Sequence, residues 1–314
     1  MKHLVMLALL LWPLLQPAPK TRVLFWNLEN FFDYYPDSTS TSELEFTSRG
    51  ARRWTKKRFQ AKCDAIAKTI LWAAAEEGAP PDAIGLAEVE NALVLKRLLQ
   101  NTGLCKLDYS VVHFESPDRR GIDVALLYRR SRLRLEGAGP RHLFRPDSTI
   151  LPTRDILLAA FLDTAGNRLA LLVNHHPSKF GGAALSGTRR EIAVSRLGEL
   201  ADSLQQGGTA RIVAMGDFNE TPDHPVYGRL SLQNLALPLH RRGVGSIKFG
   251  GSWELIDHFY VSKAVRNPQM KVLHVPFLQV PDRLYGGTKP LRTYSGPRYL
   301  GGVSDHCPVW LEFE

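Results

Sequence analysis

A short apolar run that ends in an acid constrains the fold of this chain more than any other stretch. The run from Ile212 to Met215 predicts a buried strand, which Gly216 interrupts before Asp217 and Asn219. Residues two apart point the same way from an extended backbone, so we expect Asp217 and Asn219 to project together from the strand's carboxyl end. Asp and Asn after a glycine also suit a plain polar turn. Partners elsewhere in the chain distinguish a site from a turn.

The same pattern recurs along the sequence, because several apolar strands are followed by a residue able to bind a metal or carry a proton. Six predicted strands end in Asn27, Glu88, His175, Asp217, Asp257 and the Asp305-His306 turn. Helical spacing of apolar residues between strands, as from Phe59 to Ile70, indicates amphipathic helices. Mixed strands with such helices predict two β-sheets packed face to face with helical outer layers.

Length and composition favour a single globular domain. The 314 residues are 44% hydrophobic and 23% charged, and no linker or repeat divides them. The Pro-, Gly-, Arg- and Tyr-rich segment 276–303 is expected to be irregular surface structure. We expect four lysines of the first long helix to face solvent, namely Lys56, Lys57, Lys62 and Lys68.

The N-terminus has the composition of an export signal. Lys2 and His3 precede an apolar run from Leu4 to Leu15, and Pro17 follows it. About a dozen apolar residues after a short basic segment are typical of a secretory signal peptide and are too few to span a bilayer comfortably. We therefore predict a signal peptide at about residues 1–19 and a folded domain over 20–314. The product would be periplasmic or secreted without a stable membrane anchor. The alternative interpretation of the apolar run is a buried helix of the folded domain.

Charge and cysteine content narrow the function classes. A net charge of +9 favours a polyanionic partner, either nucleic acid or anionic lipid. Cys63, Cys105 and Cys307 have no metal-ligand spacing and allow at most one disulfide. The sequence has no glycine-rich phosphate loop with a lysine, which disfavours an NTP-driven machine. It also has no Gly-x-Ser-x-Gly sequence, which disfavours a serine hydrolase.

The residue types at the strand ends favour phosphoryl chemistry. Acids and amides without thiolates suit a hard divalent cation, Mg²⁺ or Mn²⁺, rather than a structural zinc. His175 and His306 have polar neighbours, which suits a general base or a donor to a phosphoryl oxygen. Together these groups suit in-line displacement at phosphorus by an activated water.

Seven motifs, in their order along the chain, resemble the endonuclease/exonuclease/phosphatase superfamily, which includes pancreatic-type deoxyribonuclease. The motifs are Trp26-Asn27, Glu88-Val89-Glu90-Asn91, Arg120-Gly121-Ile122-Asp123, Asn174-His175-His176-Pro177-Ser178-Lys179, Gly216-Asp217-Phe218-Asn219, Ile256-Asp257-His258 and Ser304-Asp305-His306. Asn27 to Asp33 and the His-x-Pro-Ser-Lys block most resemble its bacterial secreted nucleases. The resemblance implies an α/β (α+β) fold, a four-layered sandwich of two mixed β-sheets with helices outside. It places the site across the top of both sheets.

The resemblance also implies roles for the acids and amides. Asn27, Glu88 and Asp305 match the residues around the Mg²⁺ ion. Asp217 and Asn219 match the pair that positions or activates water and binds the scissile phosphate. Catalysis and metal binding are therefore expected from different acids of one site.

The histidines match less uniformly. His175 matches a phosphate-contacting histidine or general acid, and His306 matches a base or transition-state stabiliser held by Asp257. The division of proton transfer among Asp217, His175 and His306 stays open. His176 stands where this branch often has Trp, which indicates a rim or packing residue rather than a second catalytic histidine.

Two further residues have open assignments. Arg120 is a candidate ligand of the substrate phosphate, with an arginine in a surface turn as the alternative. His258 should point to the opposite face of its strand from Asp257 and is expected to be structural.

The leading hypothesis is an exported, metal-dependent phosphodiesterase that hydrolyses nucleic acid, foremost a DNA endonuclease, and acts as a monomer. A phosphoesterase with the same site that acts on a phospholipid or an inositol-phosphate-type small molecule is the alternative. A second, remote alternative is a non-catalytic binding module with the same fold. The sequence does not distinguish DNA from RNA or endonuclease from exonuclease action.

Overall fold

The computed structural model describes residues 20–35, 41–178 and 183–314, so the predicted signal peptide lies outside the described residues. Within those ranges, no helix combines the length and apolar character needed to cross a membrane. The described cysteines Cys63, Cys105 and Cys307 are free thiols, and Cys63 and Cys307 are buried.

Strands dominate the described chain. The strands are β1 (Thr21–Phe31), β2 (Ala83–Val89), β3 (Tyr109–His113), β4 (Asp123–Arg129), β5 (Leu133–Arg141), β6 (Ile156–Asp163), β7 (Arg168–His175), β8 (Arg211–Asp217), β9 (Gln233–Asn234), β10 (Ile247–Phe249), β11 (Ser252–Glu254), β12 (Asp257–Val261), β13 (Gln269–Val272), β14 (Gln279–Pro281), β15 (Thr288–Pro290), β16 (Tyr294–Ser295), β17 (Arg298–Tyr299) and β18 (Val309–Phe313). The helices are α1 (Thr41–Glu45), α2 (Lys56–Glu76), α3 (Ala92–Gln100), α4 (Ala183–Gln206) and α5 (Leu237–His240). Short 3₁₀ helices are Gly103–Lys106, Pro225–Arg229 and Pro276–Leu278.

Two six-stranded mixed sheets form the centre of the fold. Sheet A has the order β13-β18-β1-β2-β4-β3, and sheet B has the order β5-β6-β7-β8-β12-β9. The pairs β1–β2 and β7–β8 are parallel, whereas β1–β18 and β8–β12 are antiparallel. Separate two-stranded hairpins are β10–β11, β14–β15 and β16–β17.

Alternating side chains along the strands divide the apolar core into three layers. Phe25 of β1 and Met215 of β8 lie in the cluster between the two sheets. Trp26 lies in the cluster that sheet A shares with α2 and α3, and Ala214 lies in the cluster that sheet B shares with α4. The layer order is helix, sheet, sheet, helix, which confirms the predicted four-layered sandwich.

Helix α2 is capped as the sequence indicates, since the Thr55 side chain accepts a hydrogen bond from the Arg58 backbone N–H. Lys56, Lys57 and Lys68 are exposed, but the prediction for Lys62 is wrong because that residue is only 1% exposed. Lys62 is three residues after Phe59, so helical periodicity places it on the buried face. Its Nζ donates to the Glu29 carbonyl oxygen at 2.6 Å and to the Thr293 hydroxyl at 2.9 Å.

Two predicted loops are partly ordered. The segment 276–303 contains the hairpins β14–β15 and β16–β17, and Tyr294 within it is 6% exposed, so it is not wholly irregular surface. The glycine-rich sequence from Gly181 to Gly187 predicts a loop before the next helix, but Gly187 lies within α4. Glycine is a poor helix former, and packing of this helix against sheet B outweighs that preference.

Pairing of the strands of sheet B aligns three candidate site residues. His175 of β7 and Asp257 of β12 both pair in register with Asp217 of β8. Each of these residues lies an even number of positions from the inward-facing apolar residues of its strand, and so does Asn27 in β1. Their side chains therefore point into one end of the space between the sheets.

Gly216 lets β7 and β8 lie close together at this end. A Cβ atom built on Gly216 would lie 2.3 Å from the Asn174 carbonyl oxygen and 2.7 Å from the Asn174 Cβ. These are distances that real Cβ atoms do not adopt, and the nearest atom belongs to a backbone rather than to a flexible side chain. The glycine before Asp217 is therefore a packing requirement of the sheet.

The substitution Gly216→Ala should lower the free energy of unfolding by about 1–3 kcal/mol, because the added methyl group forces two paired strands apart. Gly137→Ala in β5 is the matched control, since a Cβ there meets no atom within 4 Å. Urea unfolding of the two variants measures the difference. Equal stability of both variants would contradict this account of Gly216.

Candidate active site

Side chains from both sheets meet around the carboxylate of Asp217. Asn27 of sheet A donates from Nδ2 to Asp217 Oδ2 at 3.0 Å. The Nε2 atoms of His175 and His306 lie 3.6 and 3.7 Å from the same oxygen. All four residues are buried, His306 the most exposed of them at 7%. The structure thus brings four of the predicted site residues together.

His306 and Asp257 form a dyad that links the two sheets. His306 precedes β18 of sheet A, and its Nδ1 lies 2.8 Å from Oδ2 of Asp257 in sheet B. The Ser246 hydroxyl donates to the same Asp257 oxygen at 2.5 Å, and the Trp26 indole donates to the His306 carbonyl oxygen at 2.9 Å. These contacts leave Nε2 of His306 directed at Asp217 and, at 3.8 Å, at Asp305.

The carboxylates and His306 shift each other's ionisation. Burial alone would lower the pKa of His306, but the carboxylates of Asp257 and Asp217 outweigh burial and raise it well above its usual value. Burial raises the pKa of Asp217 to about 7, although the charge of His306 opposes the increase. The site therefore holds an imidazolium beside a carboxyl group that titrates near neutral pH.

His175 has the opposite tendency. Burial, together with the positive charges of Arg154 and Arg120, lowers its pKa well below the usual value. Arg154 is itself buried and donates to the carbonyl oxygens of His175 and His176, while Asp118 accepts from its guanidinium at 2.8 Å. His175 is therefore a neutral imidazole at neutral pH. No motif in the sequence marks Arg154 as part of this site.

Glu88 and Arg120 lie on the open side of the site. The Asn30 backbone N–H donates to Glu88 Oε2 at 2.8 Å. The other oxygen, Oε1, lies 3.8 Å from Arg120 Nη1 and 4.0 Å from His175 Nε2, both longer than a hydrogen bond. The Arg120 side chain is 45% exposed and that of Glu88 is 12% exposed. Arg120 thus faces solvent beside the buried histidine, and Glu88 is largely covered between them.

Asp305 is held by an arginine that the sequence did not single out. Arg292 lies 3.1 Å from Asp305 Oδ2 and 2.8 Å from Glu29 Oε1. Glu29 also accepts from the Thr293 backbone N–H at 3.1 Å, and Lys62 binds the Glu29 carbonyl oxygen. A network of alternating charges, buried at Glu29 and Lys62 and half-exposed at Arg292, therefore supports this side of the site. Its signal in the sequence is the position of Glu29, two residues after Asn27 on the same strand.

Oxygen atoms of the predicted metal ligands fit a hard divalent cation. Glu88 Oε1 makes no contact shorter than 3.8 Å among its ion pairs, and the side chain of Asp305 is 24% exposed. Asn27 Oδ1 accepts from the Glu29 backbone N–H and retains a second lone pair. Carboxylate and amide oxygens with room for water suit Mg²⁺ better than a soft metal.

Two further groups among the described residues have metal-binding composition. Asp217, Asp257 and His306 offer ligand atoms within 4.8 Å of one another, and so do His113, Glu115 and Asp123. In the first group, Nδ1 of His306 is already hydrogen-bonded to Asp257. This group therefore has the geometry of a proton-transfer unit as well as that of a metal site.

Asn219 does not project in parallel with Asp217. Strand β8 ends at Asp217, and Asn219 has a left-handed backbone with φ of 52°, so the expectation from strand alternation is wrong. The Asn219 backbone N–H donates to Asp217 Oδ1, and its Nδ2 donates to the His176 carbonyl oxygen, both at 2.9 Å. Asn219 thus holds Asp217 in place, and its predicted contact with the phosphate remains a prediction.

His176 and His258 both pack against Phe218. The His176 ring contacts the edge of Phe218 at a centroid distance of 4.6 Å, and the His258 ring stacks on it at 5.0 Å. His258 Nε2 lies 3.0 Å from the Leu255 carbonyl oxygen. The His258 ring lies among the residues facing α4, on the opposite side of β12 from Asp257.

Left-handed backbone conformations concentrate at this end of the sandwich. The non-glycine residues Glu29, Asn30, Glu88 and Asn219 have φ values from 47° to 59°. Such conformations cost roughly 1 kcal/mol each for residues other than glycine and are retained where the surrounding structure requires them. In Glu88 the turn coincides with the register shift between β2 and β4, and it directs the carboxylate toward the site.

His176→Phe should make the protein more resistant to acid. Burial lowers the pKa of His176 to about 3, and neither ring nitrogen has a hydrogen-bond partner among the described residues. Between pH 6.5 and pH 3 the unfolded chain binds a proton that the folded chain does not, so wild-type stability falls as the pH falls. Phe binds no proton on unfolding. At pH 5 the free energy of unfolding of the variant should therefore gain about 2 kcal/mol relative to that of wild type.

Urea unfolding at pH 5 and pH 8 measures this gain, with His142→Phe, at a partly exposed histidine, as the control. A difference between wild type and His176→Phe that does not change with pH would contradict the assignment of a buried neutral imidazole.

Solved structures share this architecture at low sequence identity. An endonuclease/exonuclease/phosphatase family protein from Bacteroides thetaiotaomicron is 17% identical with a TM-score of 0.61, over 94% of this chain and 95% of the other. A mannosyl-6-phosphatase from the same organism is 17% identical with a TM-score of 0.59, over 94% and 99%. D. rerio TDP2 complexed with a single strand DNA product is 14% identical with a TM-score of 0.56, over 94% and 99%. No curated protein sequence matches this chain significantly.

The sequence itself matches a family model over nearly its full described length. The model of the Endonuclease/Exonuclease/phosphatase family matches residues 22–314, which include every candidate site residue from Asn27 to His306. This match confirms the resemblance that the seven motifs indicated. The chain belongs to the endonuclease/exonuclease/phosphatase family.

Proposed function

We propose that this protein is an exported, metal-dependent phosphodiesterase that hydrolyses nucleic acid, foremost DNA. The observation that carries the proposal is the position of His306, whose Nδ1 bonds Asp257 while its Nε2 faces Asp217 and Asp305. A histidine fixed by one carboxylate and directed at others is suited to move a proton at a reacting phosphate. The side chains of Glu88 and Asp305, 12% and 24% exposed, are the acids proposed to hold the metal.

The described residues divide the chemistry among them. His306, protonated, donates to an oxygen on which negative charge develops. Asp217, with a pKa of about 7, is suited to accept a proton from the attacking water. His175 and Arg120 contact the phosphate from the opposite side. Mg²⁺, or Mn²⁺, held by Asn27, Glu88 and Asp305 would supply charge stabilisation at the phosphoryl oxygens.

Charge supports a nucleic acid substrate. The net charge of +9 suits a polyanion, and the half-exposed guanidinium groups of Arg120 and Arg292 border the site. A structural neighbour, TDP2, was solved with a single strand DNA product. We expect the exported protein to act as a monomer without NTP.

A phosphoesterase that acts on a small molecule, such as a sugar phosphate, an inositol phosphate or a phospholipid headgroup, is the second candidate. The likeness to a mannosyl-6-phosphatase over 94% of this chain supports it. Both candidates require the same metal and the same histidine, so only a substrate panel separates them. Faster turnover of sugar or inositol phosphates than of DNA and RNA would favour the second candidate.

His306→Ala should lower kcat on a fluorogenic DNA or RNA substrate by about 10²–10⁴-fold, the usual contribution of a general acid or base. EDTA should abolish the wild-type activity. His142→Ala is the control, since His142 is a partly exposed histidine that pairs with Asp155. Activity that survives both EDTA and the loss of His306 would overturn the mechanism.

Glu88→Gln and Asp305→Asn should each weaken Mg²⁺ binding by at least about tenfold, a loss that even outer-shell partners of metals can cause. Calorimetric titration with MgCl₂ and a non-hydrolysable phosphate analogue measures this binding independently of turnover. Asp147→Asn, at an exposed acid in the loop after β5, is the control. Unchanged Mg²⁺ affinity in both site variants would remove these residues from the metal site.

A further inference from the structure

Two short hairpins stand beside the catalytic segment. Strand β10 of the first hairpin forms a bridge between Ile247 and His306, and the Cys307 backbone N–H donates to the Ser246 carbonyl oxygen at 2.7 Å. The second hairpin is β14–β15, and Lys248 of the first donates to the Gly286 carbonyl oxygen in its turn at 2.6 Å. The first hairpin is therefore attached to the catalytic segment by main-chain contacts, and the second is attached to the first by a lysine side chain.

A cavity of about 270 Å³ lies between these hairpins and the candidate metal ligands. Its apolar lining includes Phe249, Val280, Leu291 and Leu300. Arg292 and Asp305 also line it, so the cavity shares Asp305 with the proposed metal site. The cavity therefore adjoins the proposed metal site at Asp305.

Phe249 is the feature of this cavity that the fold leaves unexplained. Its side chain is 73% exposed, at the end of β10, although it lines the cavity. Tyr285 of the neighbouring hairpin is 57% exposed and lies against the backbone of Gly251. Exposed aromatic rings beside a cationic groove are the usual means of binding single-stranded nucleic acid, because a base can stack on them.

We propose that this cavity binds the nucleobase adjoining the scissile phosphate, that Phe249 stacks on that base, and that the substrate is consequently a single strand or an unpaired nucleotide. The inference rests on the proposed function. A cavity of about 270 Å³ lies at the small end of ligand sites, which span roughly 300–1,000 Å³, and it matches the size of one base with its sugar. A base inside it has left its stack and its pairing partner.

The charges around the cavity agree with a nucleotide. Lys248, Lys289 and Arg292 line it together with Asp305. Both lysines pair with Asp282, at 3.2 and 3.4 Å, so the half-exposed guanidinium of Arg292 is the cation placed to meet a phosphate that flanks a base. A membrane surface is the competing occupant, because Leu284 at the tip of the second hairpin is 77% exposed. The concave shape and the charged wall favour a base over lipid chains.

A double-mutant cycle between enzyme and substrate tests the proposal. Wild type and Phe249→Ala are compared on a single-stranded oligonucleotide with one cleavable linkage, and on versions that carry an abasic residue on either side of that linkage. If Phe249 stacks on the base, removal of the ring and removal of one base should each lower kcat/KM by about tenfold, and their combination should cost little more. Phe249→Trp should retain the wild-type value.

Phe144→Ala is the matched control, because Phe144 is also an exposed phenylalanine, at 44%, and does not line the cavity. Wild type should also cut the single strand faster than the same sequence in a blunt duplex. Additive effects of the ring and the base, or equal rates on single strand and duplex, would overturn the inference while leaving the proposed function standing.

Two other experimental outcomes can be distinguished from those that test the nucleobase assignment. A wild-type enzyme that turns over sugar or inositol phosphates but no nucleic acid would refute the proposed function itself. A different result would identify a membrane surface instead of a nucleobase site. In that case the effects of the ring and the base would be additive, and wild type would bind phosphatidylserine vesicles whereas Phe249→Ala would not.

Discussion

The hydrogen bond from Asn27 to Asp217 joins the two sheets at the end where the site lies. The Asp257–His306 pair makes a second connection, because Asp257 belongs to sheet B and His306 to the segment that leads into β18 of sheet A. Neither contact exists unless the sheets pack face to face with their inward-facing residues in register. The apolar layer that contains Phe25 and Met215 thus determines the geometry of the polar groups above it.

Beside Asp217 the protein shifts the pKa values of two histidines in opposite directions. His175 and His306 lie at almost equal distances from one carboxylate oxygen, yet the pKa of the first is lowered and that of the second is raised. The difference arises from their other neighbours, which are Arg154 for His175 and Asp257 for His306. Two imidazoles in one buried site can therefore hold different protonation states at the same pH.

The sequence predicted the layers and most strand ends because alternation and helical spacing are local properties. It predicted neither the orientation of Glu88 nor that of Asn219, since both adopt a left-handed backbone that interrupts alternation. Lys62 differs from its prediction because helical spacing places it on the buried face of α2, where its charge has polar partners. The sequence does not mark Arg154 and Arg292 as site residues. Their partners, Asp118 and Glu29, are distant in the sequence, and only tertiary contacts bring them together.

The division of the site between the two sheets has a consequence for the chain before it is fully folded. A molecule with one sheet formed lacks either Asn27 and His306 or their partners Asp217 and Asp257. The proposed activity then requires β18 to lie beside β1, because His306 lies three residues before that strand. We therefore expect the proposed enzyme to be inactive until both sheets are in place.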